Sequence, residues 1–257
     1  MTRLRYYLPA IVVFGLVIVG WELLVTLLHI QRFLLPPPSE IARSLVEEWP
    51  TLRAAGTTTL IEAVGGFLIG LAAGLVVAFA TARFSLARAG LMPFAIAANA
   101  VPIVAFAPIM NNWFGVASPV SKMMIVSVLV FFPVMINVVR GLTSADPATL
   151  ELMRSYAASE QEIVRKVRIP AALPYFFTAL KVGATLSLIG AIVGEYFGGA
   201  NDALGRLIVE NAAFLHFSTA WAAIIIAAAL GIAFYLLIIT VERATMPWHA
   251  SMRARDT

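Results

Sequence analysis

Residues 59–82 read TLIEAVGGFLIGLAAGLVVAFATA, twenty-four positions with one ionisable side chain, Glu62, near the start of the run. A helix needs about 20 mostly apolar residues to cross the hydrocarbon of a bilayer, and a stretch this apolar has no face to offer water. Working outward, five further runs of the same kind occur at about 8–28, 91–114, 120–139, 176–197 and 219–241. The expectation is an all-α integral membrane protein: a single transmembrane domain over 1–257, built as a bundle of six transmembrane helices.

The composition of the whole chain agrees. Of 257 residues, 61% are hydrophobic and 12% charged, about half the charged fraction of a soluble domain. The absence of Cys excludes disulfides, thiolate metal sites and cysteine nucleophiles. With three His, an imidazole metal cluster is not expected. The net charge of +4 comes without a long basic stripe, so no nucleic-acid partner is expected and lipid is the surrounding medium. The first run follows Arg3 and Arg5 as a signal peptide would, but it is too long and lacks a small-x-small site before His29. An uncleaved helix is expected.

Six spans place both termini on one side. Thirteen of the eighteen Lys and Arg residues, Arg253 and Arg255 among them, fall on that side. The positive-inside rule then puts both termini in the cytoplasm. Between the first two spans, Pro36-Pro37-Pro38-Ser39-Glu40 predicts an extended piece. Ser39 would then cap a short interfacial helix to about Trp49, with Ile41, Leu45 and Trp49 on one face. Glycines recur at four-residue spacing, Gly66, Gly70 and Gly74 in the second span and Gly190, Gly194 and Gly198 in the fifth. These predict close helix packing within the bundle ahead of a subunit interface.

The longest charged connection, 140–175, joins spans four and five. A helix can begin at Pro147, with Leu150, Met153 and Ala157 as its apolar edge. A second segment, 160–167, puts Ile163, Val164 and Val167 on one side. Pro170 and Pro174 follow, and each biases its predecessor away from helix, so two turns are expected before the fifth span. Apolar periodicity in a charged connection marks a docking surface rather than a solvated loop.

This frame resembles the cytoplasmic loop of the permease subunits of ATP-binding-cassette importers, Glu-Ala-Ala-x3-Gly-x9-Ile-x-Leu-Pro. Here it reads Glu151-Leu152-Met153, three residues, Ala157, nine residues, then Val167-Arg168-Ile169-Pro170. The Glu, the spacings and the closing Pro match. Trp21-Glu22-Leu23-Leu24, Phe33 to Ser39, Gly194-Glu195-Tyr196 and Leu204 to Ile208 are similar to the branch that imports nitrate, sulfonates and taurine. Residues 191–195 and the span around Trp221 are similar to its pyrimidine-precursor and riboflavin members.

The resemblance implies the fold of a type I importer permease in a bacterial inner membrane. The loop carrying Glu151, Leu152, Met153, Ala157, Val167, Ile169 and Pro170 would be the coupling helix, seated on an ATPase dimer. The chain has no phosphate-binding Gly-x4-Gly-Lys-Ser/Thr loop, so it is expected to bind no cofactor and not to be an enzyme; ATP and Mg would belong to the partner. A periplasmic or lipid-anchored solute-binding protein would dock outside, with residues 199–217 and their Asp202, Arg206 and Glu210 as its candidate surface. A second permease, most simply a second copy, would complete the path.

Ionisable and amide groups inside a membrane suggest function. Glu195, beside Tyr196 at the outer end of span five, either faces the path or sits at headgroup depth. Asn99 either bonds a neighbouring helix or faces a cavity with the Ala98 carbonyl that Pro102 frees. Phe106, Trp113 and Tyr196 could stack on an aromatic cargo or form the interfacial belt. Glu22 and Glu62, near span ends, are expected at the interface. An ion-coupled transporter would show buried charges in mid-span and repeated halves, and neither is evident. A rhomboid-like or zinc protease is excluded because no Gly-x-Ser sits beside a membrane His and no His-Glu-x2-His occurs; His29, His216 and His249 lie at span ends or in the tail.

Overall fold

The computed structural model describes residues 3–200 and 202–247. His249, Arg253 and Arg255 lie outside the described residues. Every regular element among the described residues is a helix.

Among the described residues, five helices are long and apolar enough to cross a membrane: α1 (Arg3–Leu27), α3 (Trp49–Arg83), α6 (Pro119–Leu142), the stretch ending in α9 (Ile169–Tyr196), and α11 (Phe217–Thr245). At the centre, α6 packs between α3 and α9, and α11 closes on α9. The core runs along these contacts through Phe67, Val126, Val130, Val134, Leu180, Leu188 and Phe234. The first helix stands apart, its apolar side chains from Leu8 to Val19 exposed to what would be hydrocarbon. It touches the bundle through Val25 and through Trp21, whose ring meets Trp221 edge-on at 5.3 Å.

The glycine stripe of α3 is what brings α6 so close. A Cβ added at Gly70 would stand 2.5 Å from the Ser127 carbonyl oxygen, so no larger residue fits without parting the two helices. Gly190 and Gly194 likewise abut Leu129, Val126 and Ile125 of α6. Both stripes are spent on packing inside one chain.

The third apolar run is not one helix. Helix α4 (Ser85–Ala98) gives way to a tight turn at Ile103–Ala105 and a separate α5 (Phe106–Phe114). Pro102 cannot donate to the Ala98 carbonyl, and that carbonyl accepts the Val101 N–H at 3.1 Å instead, which closes the turn. Asn99, its predicted companion, ends α4 on the exposed surface.

Before α3, helix α2 (Pro38–Glu47) starts one residue ahead of Ser39, so Ser39 is not its cap. Glu22 from α1 supplies the acceptors: Ser39 donates its N–H to Oε2 at 3.0 Å and its hydroxyl to Oε1 at 2.8 Å. Ile41 and Leu45 pack inward as expected, but Trp49 opens α3 and is exposed.

Candidate functional site

Two places combine polar chemistry with order. The first is the connection from α6 to α9. Helix α7 (Pro147–Ser155) begins where Asp146 accepts the Ala148 N–H at 3.3 Å, which satisfies one of the orphan donors of its first turn. It ends in a Schellman motif: the Ala157 N–H reaches the Arg154 carbonyl at 2.9 Å and the Ala158 N–H reaches Met153 at 3.0 Å. That geometry puts Ala157 at φ 54°, a conformation that favours glycine. The glycine of the resembled motif falls on this position, so its structural purpose is visible here even though the residue is Ala. His29 and Leu215 hold the same post after α1 and after the later helix ending at Ala213.

Helix α8 (Glu160–Ile163) opens with a capping box. Ser159 and Glu162 exchange hydrogen bonds, and Lys166 donates to Glu162 at 3.0 Å. The Ser159 N–H first, then Lys166, hold the Glu162 carboxyl below the usual range for glutamate. No residue of α7 is buried, and Leu152 and Tyr156 stand 56% and 78% exposed. Such order without burial leaves an apolar face unpartnered within the chain. Glu151 and Ala157 are exposed on it, with Met153 half-buried. Ile163 alone turns inward, 1% exposed.

The two turns expected at Pro170 and Pro174 are absent. The chain stays helical from Glu160 to Tyr196, 37 residues, with a π-helical stretch at Val164–Arg168. The wider π turn shifts the hydrogen-bond register ahead of Pro170, whose missing N–H then falls in the first turn of α9. Val167, Ile169 and Pro170 therefore belong to a continuous helix.

The second place is the opposite end of the bundle. There α3, α6 and α9 bring together Glu62, Lys122 and Glu195, each 1% exposed or less. One carboxyl oxygen of each glutamate, Glu62 Oε2 and Glu195 Oε1, is buried without a hydrogen-bond partner. Lys122 donates to the Val116 carbonyl. Glu195 accepts the Gly205 N–H at 2.6 Å. Asn111 is also buried, with neither amide atom hydrogen-bonded.

Glu62 is thus interior rather than interfacial, and Glu195 is enclosed rather than wet at headgroup depth. Lys122, at the start of the apolar run 120–139, is buried as well. Position near the end of an apolar run suggested the interface for Glu62 and left it open for Glu195, but the chain folds back over both. Tyr196, next to Glu195, is 43% exposed and lines an apolar groove of about 710 Å³ between α9 and α11, together with Thr185, Ile189 and Tyr235. Pro102, like Asn99, is exposed. Phe106 is half-buried, and Trp113 is exposed. Among the described residues no cluster of three or more His, Asp or Glu stands as a metal site.

The model of the family "Binding-protein-dependent transport system inner membrane component" matches residues 66–246. The chain is 30% identical over 255 residues to the riboflavin transport system permease protein RibX of Chloroflexus aurantiacus, covering 96% of this chain and 93% of that one. It is 27% identical over 249 residues to the formylaminopyrimidine transport permease protein ThiX of Halalkalibacterium halodurans, covering 96% and 98%. Among solved structures, an amino acid ABC transporter chain superposes with a TM-score of 0.63 at 18% identity, over 78% of this chain and 97% of that one. A fold shared at so low an identity is carried by the helix packing rather than by particular side chains. The chain belongs to the binding-protein-dependent transport system inner membrane component family, as the membrane-spanning permease subunit of an ATP-binding-cassette importer.

Proposed function

We propose that two copies of this chain enclose the membrane path of an importer for a small, flat organic solute, with energy supplied through the α7–α8 hairpin. The observation that carries this reading is the hairpin itself: capped at its start, closed by a Schellman turn, and with no residue of α7 buried. Ordering such a segment costs chain entropy that burial within this chain does not offset, so its apolar residues await a partner. In this reading Glu151, Leu152, Met153 and Ala157 touch a separate ATPase, and Val167, Ile169 and Pro170 carry the force into α9. ATP and Mg bind on that ATPase, and a two-fold ATPase presents two such seats. The Lys and Arg distribution supports hairpin and termini on the cytoplasmic side of a bacterial inner membrane. The opposite end then receives a binding protein.

In this reading the solute passes Asn99, Pro102, Glu195 and Tyr196. Thr185, Tyr196 and Tyr235 offer hydroxyls along a groove wall without a cationic side chain. That wall suits a neutral heterocycle that stacks on aromatic rings better than a sulfonate or nitrate, which would call for Arg or Lys. The names of the riboflavin and formylaminopyrimidine relatives point the same way.

Affinity purification in mild detergent, followed by mass spectrometry, tests the assembly. An ATP-binding-cassette ATPase in stoichiometric amount is expected, and a co-purifying binding protein would carry the solute. Recovery of the chain alone, with transport in ATP-free liposomes, would overturn the reading.

A further inference from the structure

The helix α10 (Leu204–Ala213) lies across the end of the bundle opposite the hairpin. Its N-cap residue, Ala203, has no side chain that can accept a hydrogen bond, so its first N–H groups need acceptors from elsewhere. Two buried side chains from different spans provide them. Thr59 of α3 accepts the Leu204 N–H at 3.0 Å, and Glu195 of α9 accepts the Gly205 N–H at 2.6 Å.

The seat is tight. A Cβ at Gly205 would stand 2.6 Å from the Ile192 carbonyl oxygen and 2.8 Å from Glu195 Oε2, so only glycine lets the helix settle this far. Leu204 is fully buried and packs with Ile208 against Leu52, Ala222 and Ala223. The outward side keeps an Arg206–Glu210 ion pair at 2.6 Å. Glu195 is itself 0% exposed, in the same buried corner as Glu62 and Lys122.

Glu195 is also the penultimate residue of the 37-residue helix that starts in the docking hairpin. At about 1.5 Å per residue, that helix is a rod of about 55 Å. Among the described residues, α10 is the external element hydrogen-bonded through its backbone to the far end of that rod.

We propose that Glu195 is a positioning residue, a latch that fixes α10 to the end of the Glu160–Tyr196 helix so that movement of the hairpin and displacement of α10 are one event. The coupling half of this inference rests on the permease reading above; the latch itself does not.

The chain has no cysteine, so Ile208→Cys is a clean reporter. That position is 8% exposed while α10 is seated. With a membrane-impermeant maleimide, labelling should be slow in the Ile208→Cys chain. It should rise about tenfold or more in Glu195→Ala, the size expected for leaving a buried N–H without its acceptor, and rise less in Glu195→Gln, which keeps an acceptor oxygen. Thr59→Val should raise it as well. Equal rates in all four proteins would overturn the latch while leaving the permease reading intact.

In the complex with its ATPase, trapping with ATP and vanadate should change the labelling rate at Ile208→Cys when Glu195 is present. In Glu195→Ala it should not. A change of equal size in both would overturn the coupling, since a merely structural carboxylate would leave that response in place. Absence of an ATPase from the purified material would instead overturn the permease reading, and the labelling rates without nucleotide would still decide the latch.

Discussion

Lys181 Nζ lies 3.0 Å from both carboxylate oxygens of Glu242, a contact between α9 and α11 across 61 residues of sequence. The two side chains are 25% and 9% exposed, and they join the hairpin-end halves of two spans. Removing one partner leaves a buried charge unpaired, which costs about 3–5 kcal/mol, whereas replacing both with apolar residues costs far less. Lys181→Met and Glu242→Met should each lower the thermal midpoint in detergent, and the double variant should melt above either. Additive losses would mean that the pair is not coupled.

Gly70 and Gly15 set up opposite expectations for the same substitution. Gly70→Ala drives a methyl group into the Ser127 carbonyl and should destabilise by about 1–3 kcal/mol, as overpacking does. No atom stands within 4 Å of a Cβ at Gly15. There the same change should stabilise by up to about 1 kcal/mol through helix propensity. Paired unfolding measurements check the contrast.

Ala157 holds the left-handed corner of the hairpin at φ 54°. Ala157→Gly should relieve about 1 kcal/mol of backbone strain and retain full uptake. Ala157→Val, branched at Cβ, should loosen the Schellman turn, seen as faster hydrogen exchange at the Ala158 amide.

Glu151→Ala and Ala157→Asp act on the exposed face of the hairpin, where they remove no buried contact. Membrane insertion should be unchanged, and the unfolding free energy should stay within about 0.5 kcal/mol of the parent. ATP-driven uptake should fall at least about tenfold, because the ATPase loses its grip. Normal uptake by both would refute the docking assignment.

Glu162 titrates below the usual glutamate value because the Ser159 N–H and then Lys166 favour its charged form. With the folded value depressed, the capping box is fully formed above the ordinary glutamate range near 4.5 and is lost as pH falls through the lower, folded value. Carboxyl titration by NMR should place Glu162 below that range, and Lys166→Ala should move it upward.

Much of this was legible in the sequence. Apolar runs of span length gave the long helices, because lipid requires every backbone group to be satisfied within its own segment. The hairpin could be read because Pro147 and its flanking polar residues act locally. Other features were out of reach. Ser39 looked like a cap by local chemistry, yet Glu22 supplies the acceptors from seventeen residues away. Pro170 looked like a turn, but a π segment absorbs it.

By itself the sequence determined the medium, the long spans, the glycine-faced packing and the presence of a helical, charged connection ahead of α9, since each follows from periodicity or from groups a few residues apart. Only the tertiary structure decided which charges are buried. Glu62, Lys122 and Glu195 each stand near the end of an apolar run, where sequence position leaves burial open, and they become interior because three helices converge there and α10 folds over them. Burial belongs to the neighbours a residue meets in space, and those neighbours come from separate spans: Glu62 and Glu195 stand 133 positions apart.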